Sequence, residues 1–220
     1  MSPIGSATTS TDDDRFRALR LRMVERQLRR RGIEDERVLG AMAEVPRERF
    51  VPEAERARAY RDGALRIGEG QTISQPWIVA CMAALLHLDG DERVLEVGTG
   101  SGYAAAVLSR LCREVVTVER VEALAVVAAR TLAELGYANV EVRVGDGAEG
   151  APDRAPFDGI SVTATAEDEP PRPLFDQLAP AGALVCPVRR SRRELLMRFR
   201  EGREESVAPV RFVPLLGPEG

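Results

Sequence analysis

The sequence contains no lysine, so all 31 basic residues are arginine and neither a Schiff-base mechanism nor a Walker-type phosphate loop has the amine it needs. Its single histidine, His87, sits in the apolar run Leu85 to Leu88 and reads as structural, which removes most of the support for metal catalysis or a histidine-based relay. Cys81, Cys112 and Cys186 are odd in number, far apart and flanked by apolar residues. Neither a disulfide framework nor a metal site has that spacing, and no metal is expected. The longest charge-free apolar run, Pro76 to Leu86, falls well short of the roughly 18 to 20 residues of a membrane span.

The first residues, Met1 to Asp14, are rich in Ser, Thr and Asp and have neither the basic start nor the apolar stretch of a signal peptide. They read as a disordered tail on a soluble, cytoplasmic protein. With 44% apolar residues the chain can fill a core, and its length allows one large domain or one domain with a small extension. Arg189, Arg190, Arg192 and Arg193 form a basic cluster and Arg29 to Arg31 a second. A net charge of −4 and 5% aromatics speak against nucleic-acid binding, so both clusters read as solvated surface, the first also as an attraction for acidic peptides.

Apolar spacing predicts a helix from Phe16 to Arg31 ended by Gly32, and a second from Asp35 to Glu44 stopped by Pro46. A brief helix over Glu53 to Tyr60 and a glycine-rich loop from Gly63 to Gly70 follow. Beyond Gln71, helix and strand alternate: helix 76–88, strand 93–97, helix 103–112, strand 115–119, helix 121–135, strands 140–144 and 157–163, helix 171–178 and strand 183–187. That alternation predicts an α/β, doubly wound, mostly parallel sheet covered on both faces. Segments 194–200 and 205–216, joined at Glu201-Gly202, add a C-terminal antiparallel hairpin. The expected organisation is a single domain over 15–216, with an N-terminal helical extension (15–70) and a Rossmann-like core (71–216).

The string Gly98-Thr99-Gly100-Ser101-Gly102-Tyr103 leaves the strand 93–97 and opens directly into a helix, the placement of a nucleotide-type loop. Glu119 ends the next strand, beside Arg120, and is suited to accept both ribose hydroxyls. The dinucleotide fingerprint would need glycine where Tyr103 stands. Glu96, two residues before the first glycine, would repel a pyrophosphate and attract an ammonium or sulfonium group, which favours S-adenosyl-L-methionine over a pyridine dinucleotide. Asp146, with Gly147, follows the strand 140–144, so Glu96, Glu119 and Asp146 are expected to face one ligand at its amino-acid end, ribose and adenine respectively. Singly, Glu119 also reads as a strand cap and Asp146 as a turn residue.

The strings Gly70-Gln71-Thr72-Ile73-Ser74-Gln75-Pro76 and Val94-Leu95-Glu96-Val97-Gly98-Thr99-Gly100-Ser101-Gly102-Tyr103, with Phe157-Asp158, Gln177-Leu178 and Val210-Arg211-Phe212-Val213-Pro214-Leu215, resemble the protein-L-isoaspartate O-methyltransferases over about Met23 to Leu216. The resemblance implies methyl transfer from S-adenosyl-L-methionine, leaving S-adenosyl-L-homocysteine, to the side carboxylate of isoaspartyl residues in damaged proteins; a monomer is expected. It implies Ser74 as the active-site hydroxyl, with Thr72, Ile73 and Gln75 beside it and Arg211, Phe212 and Val213 holding the substrate peptide. Ser74 also reads as an N-cap for the helix that Pro76 opens. A carboxylate is already ionised at neutral pH, so this chemistry needs no catalytic base.

Several positions depart from the family pattern: Ala181-Gly182 where Gly-Gly is usual, Ser161 within its strand, an acidic loop from Thr163 to Glu169, and Arg189 in place of a glycine. They bear on substrate preference and spare the glycine loop and Ser74. The runner-up activity is methylation of an aspartyl side chain in a dedicated peptide; a sensor that binds S-adenosyl-L-methionine without turnover is the reading from another class.

Overall fold

A computed structural model describes residues 7–216. The first helix, Ala7–Met23 (α1), runs on through a π turn (Val24–Leu28) and a 3-10 turn (Arg29–Arg31) to Gly32, whose φ of 88° ends it. It therefore starts inside the segment expected to be a disordered tail, and residues 1–6 of that tail lie outside the described residues. Once Met23, Val24 and Leu28 are buried, extending the helix N-terminally adds a hydrogen bond for each residue fixed, which Ser, Thr and Asp tolerate. Asp35 caps the next helix, Glu36–Glu44 (α2), accepting the amides of Arg37 and Val38 at 2.9 and 3.2 Å, a cap worth about 1 kcal/mol.

After 3-10 turns at Arg47–Phe50 and Glu53–Arg58, the glycine-rich stretch departs from the loop expected for it. Leu65–Gly68 (β1) pairs antiparallel with Gln71–Ile73 (β2), around a turn in which Gly68, Glu69 and Gly70 all have positive φ. Leu65 and Ile73 are buried. Strands this short give too few alternations to stand out among glycines. Pro76–Leu85 (α3) follows, and the chain leaves it through exposed His87 at φ 52°.

The remaining elements are Arg93–Val97 (β3), Tyr103–Leu108 (α4), Glu114–Glu119 (β4), Glu122–Glu134 (α5), Val140–Val144 (β5), Phe157–Val162 (β6), Ala166–Glu167 (β7), Arg172–Asp176 (α6), Leu178–Arg190 (β8), Arg193–Arg200 (β9) and Arg203–Pro209 (β10). The sheet order is β10-β9-β8-β6-β3-β4-β5, with β7 paired to β8. From β5 to β8 the strands are parallel; β9 and β10 are antiparallel. Strand β8 is longer than expected because it pairs on both sides, with β6 and with β9.

Val94, Val115, Ala183 and Val185 face a core shared with α2, α3, α4 and the N-terminal segment. Leu95, Val97, Val116, Val118, Ile160 and Leu184 face the opposite core, closed by Leu174 of α6. Burial on both faces explains why the central strands read as apolar runs. Three polar residues interrupt them at one register. Glu96 lies opposite Thr117 on β4 and Ser161 on β6, and all three are buried. The chain leaves β3 towards β4 on one side and returns to β6 on the other, so the sheet's switch point lies between β3 and β6, where open α/β sheets bind ligands.

Candidate active site

A cavity of about 330 Å³ opens at the carboxyl ends of β3, β4 and β6. Gly98, Thr99, Gly100 and Ser101 form one wall and Tyr103 begins α4 beneath them. Gly98, Gly100 and Gly102 have φ of 92°, 53° and 85°, a left-handed run that side chains resist. A Cβ on Gly98 would stand 2.3 Å from Thr163 Oγ1, and that hydroxyl donates to the carbonyls of Val97 and Gly98 at 3.0 and 2.8 Å. On the far side a Cβ on Gly147 would meet Val97 Cγ1 at 2.4 Å. Gly147 lines the cavity, and Gly102 caps α4 behind the lining.

The three acidic residues occupy different positions. Glu119 lines the cavity beside Arg120; its Oε2 accepts the Gly100 amide at 2.8 Å and its Oε1 the Val121 amide at 2.9 Å. The carboxylate is thus tied to the loop by two charge-assisted bonds and keeps lone pairs for a ligand. Glu96 lies behind the lining, fully buried, with Oε2 accepting from Thr117 Oγ1 at 2.6 Å; Thr117 Oγ1 in turn lies 2.7 Å from Thr99 Oγ1. Burial pushes the Glu96 carboxyl up to about 8, which favours its protonated form. Glu119 is thus the acidic side chain at the cavity wall, and Glu96 lies off the lining. Asp146 also stays off the lining: Oδ1 accepts the Ala148 amide at 2.9 Å. Glu96 Oε1 and Asp146 Oδ2 are buried without a partner among the described residues.

On the opposite wall β2 delivers Gln71, Thr72 and Ile73, and Ser74 follows. The N-cap position of α3 belongs to Gln75 and carries no side-chain cap bond, so Ser74 does not serve as a cap. Its hydroxyl makes no hydrogen bond among the described residues, and its carbonyl accepts Arg47 Nη2 at 2.7 Å. Gln75 points away, donating to Asp62 Oδ1 at 2.6 Å.

The C-terminal segment closes the rim. The Thr165 amide donates to the Val213 carbonyl at 2.8 Å, the Leu215 amide donates to the Thr165 carbonyl at 2.8 Å, and Val213 to Leu216 line the cavity. Glu194 pins this strap: its Oε1 accepts Thr165 Oγ1 at 2.6 Å and the Phe212 amide at 2.5 Å, and its Oε2 faces Arg189 at 3.3 Å. Phe212 and Arg211 lie off the lining. Arg189 also pairs with Glu167, and Arg190 with Glu204, so half of the basic cluster is already neutralised within the fold.

Sequence reading missed Ser161 and Thr163, which line the cavity at the end of β6 and follow from the strand-end rule already applied to β3 and β4. It also missed Arg47 and Glu194, which act from behind. No local signal separates them from the many other charged residues.

A glycine loop at the switch point of a doubly wound sheet, an acid on the following strand and a hydroxyl-bearing wall opposite define a Rossmann-like methyltransferase fold. The family model for Protein-L-isoaspartate(D-aspartate) O-methyltransferase (PCMT) matches residues 20–220. The chain is 56% identical over 192 residues to a protein-L-isoaspartate O-methyltransferase of Roseiflexus castenholzii, covering 86% of this chain and 88% of that one. It is 53% identical over 205 residues to one of Methanoregula boonei, covering 91% and 94%. A solved protein-L-isoaspartate O-methyltransferase superposes with a TM-score of 0.82 at 32% identity, over 90% of this chain and 66% of that one. A structure from Plasmodium falciparum, titled as a beta-aspartate methyltransferase in complex with S-adenosyl-L-homocysteine, superposes with a TM-score of 0.77 at 26% identity, over 90% and 98%. The chain belongs to the protein-L-isoaspartate(D-aspartate) O-methyltransferase family.

Proposed function

We propose that this protein transfers the methyl group of S-adenosyl-L-methionine to the side carboxylate of L-isoaspartyl residues in damaged proteins. One observation carries the reading: a single cavity joins a carboxylate-anchored glycine loop to a serine hydroxyl that is unbonded among the described residues, and among these no histidine, lysine or cysteine lines it. A methyl transfer to a carboxylate asks for nothing more basic.

The residues present fit the cofactor. Gly98, Thr99, Gly100, Ser101 and Tyr103 would hold it along the loop, Glu119 with Arg120 at the ribose, and Gly147 near the adenine. The buried, unpartnered oxygens of Glu96 and Asp146 leave polar atoms unsatisfied close to that wall. When bound, S-adenosyl-L-methionine supplies an electrophilic methyl group on a sulfonium. Ser74 donates its hydroxyl to the substrate carboxylate and fixes its direction, with Thr72 and Ile73 shaping the same wall. Val213 and its neighbours hold the peptide against the rim, with Gln75, Arg211 and Phe212 outside it. Catalysis then rests on positioning, worth roughly 7 to 11 kcal/mol for a well-aligned pair.

The reading carries its remaining expectations: a monomer acting in the cytoplasm on damaged proteins, without nucleic acid or membrane. Supporting this, the overall charge is −4 and Arg189 and Arg190 are paired internally. The test compares methyl transfer to an isoaspartyl peptide, its aspartyl counterpart and RNA. Preference for isoaspartate is the expected result; preference for aspartate would install the runner-up, and cofactor binding without transfer would leave a sensor.

A further inference from the structure

Arg47 is fully buried. Its Nε donates to the Ala59 carbonyl at 2.8 Å, its Nη2 to the Ser74 carbonyl at 2.7 Å, and its guanidinium lies 4.8 Å from the Tyr103 ring centroid. Nη1 is buried with no hydrogen-bond partner, and among the described residues no carboxylate lies within ion-pair distance. Its neighbour Glu48 is engaged by Tyr60 and Arg20 instead. Two carbonyl dipoles and a ring face do not neutralise a buried cation, and holding one uncompensated is unfavourable. Burial accordingly lowers the pKa of Arg47, which as a guanidinium stays charged.

Ser74 and Tyr103 both line the cavity, so this charge sits behind two lining residues, the one that carries the serine hydroxyl and the one that opens α4. Glu119 occupies the wall formed by the glycine loop. A buried cation behind Ser74 and Tyr103 and a carboxylate at Glu119 thus both border the cavity, the charges needed to receive a carboxylate and a sulfonium.

We propose that Arg47 is the positioning residue for the substrate carboxylate: it fixes Ser74 through the main chain and supplies, from behind the wall, the positive potential that an incoming carboxylate balances. This rests on the methyl-transfer reading. It makes Arg47 a buried charge whose balance arrives with the peptide, across the wall rather than in contact.

The full chain is compared as wild type, Arg47→Lys and Arg47→Met, with isoaspartyl-peptide kinetics as one readout and S-adenosyl-L-homocysteine calorimetry as the other. Wild-type turnover tests the methyl-transfer reading by itself; cofactor binding without turnover would overturn that reading and this inference with it. With turnover present, Arg47→Met is expected to lower peptide kcat/KM about 100-fold and Arg47→Lys about 10-fold, mainly through KM, with S-adenosyl-L-homocysteine affinity within about 2-fold of wild type. A folded Arg47→Met with unchanged kcat/KM overturns the inference. So do equal losses in both variants accompanied by lost S-adenosyl-L-homocysteine binding, since a purely structural role would move the two readouts together. If Arg47→Met fails to fold, Arg47→Lys decides: a raised peptide KM at unchanged S-adenosyl-L-homocysteine affinity supports the inference, and an unchanged KM overturns it.

Discussion

Glu119 holds the amide of Gly100 at 2.8 Å, which couples the acid that ends β4 to the middle of the glycine loop that leaves β3. With Oε1 bound to Val121, the carboxylate is oriented before any ligand arrives. Glu119→Gln must turn an NH2 group towards one of those two amides. S-adenosyl-L-homocysteine affinity is expected to fall about 10- to 100-fold, in line with the 1.5 to 3 kcal/mol of a charge-assisted bond, and calorimetry reads the change directly.

Gly98→Ala combines a φ of 92° with a Cβ placed 2.3 Å from Thr163 Oγ1. Relief requires Thr163 to surrender its bonds to Val97 and Gly98. The expected result is a loss of about 1 to 3 kcal/mol in stability together with weakened cofactor binding, measured by denaturant unfolding and calorimetry.

Ser74→Ala separates function from folding. Because Gln75 occupies the cap position of α3 and the serine hydroxyl is unbonded, the variant is expected to keep its stability within about 0.5 kcal/mol while isoaspartyl methylation falls. A thermal midpoint well below wild type, with turnover intact, would contradict this placement.

Glu96 makes a pH prediction. Its carboxyl is raised from 4.5 to about 8 by burial, so between those values the folded form keeps a proton that the unfolded form has released. The group's stabilising contribution is therefore full below about 4.5 and is lost as pH rises towards 8. Glu96→Gln removes that dependence, and its stability relative to wild type is expected to increase from about pH 5 to about pH 9, read by urea unfolding at each pH.

Releasing the strap is the fifth lever. Glu194→Ala leaves Thr165 Oγ1 and the Phe212 amide without their acceptor and frees the segment that brings Val213 to Leu216 onto the cavity. A rise of about 10-fold in peptide KM, larger than any change in kcat, is the expected signature.

How far the site was legible follows from the range of the interactions involved. Gly98 to Tyr103 and Glu119 sit at strand ends, and strand ends show in the alternation of apolar segments. By contrast, the β1–β2 hairpin gave no periodic signal, and the role of Glu96 depended on the register that sets it opposite Thr117 and Ser161. Its carboxyl is raised by burial that no local pattern reports.

The amino-acid order by itself determined the parallel, doubly wound sheet and the position of the glycine loop, because local periodicity and turn chemistry act over a few residues; the wall around Ser74 was implied only by the family resemblance. Only the tertiary structure decided that Arg47 stands behind Ser74, that Glu194 ties down Phe212, and that Glu96 retreats from the cavity. Burial and long-range pairing set those relationships, and both arise only when distant segments are packed together.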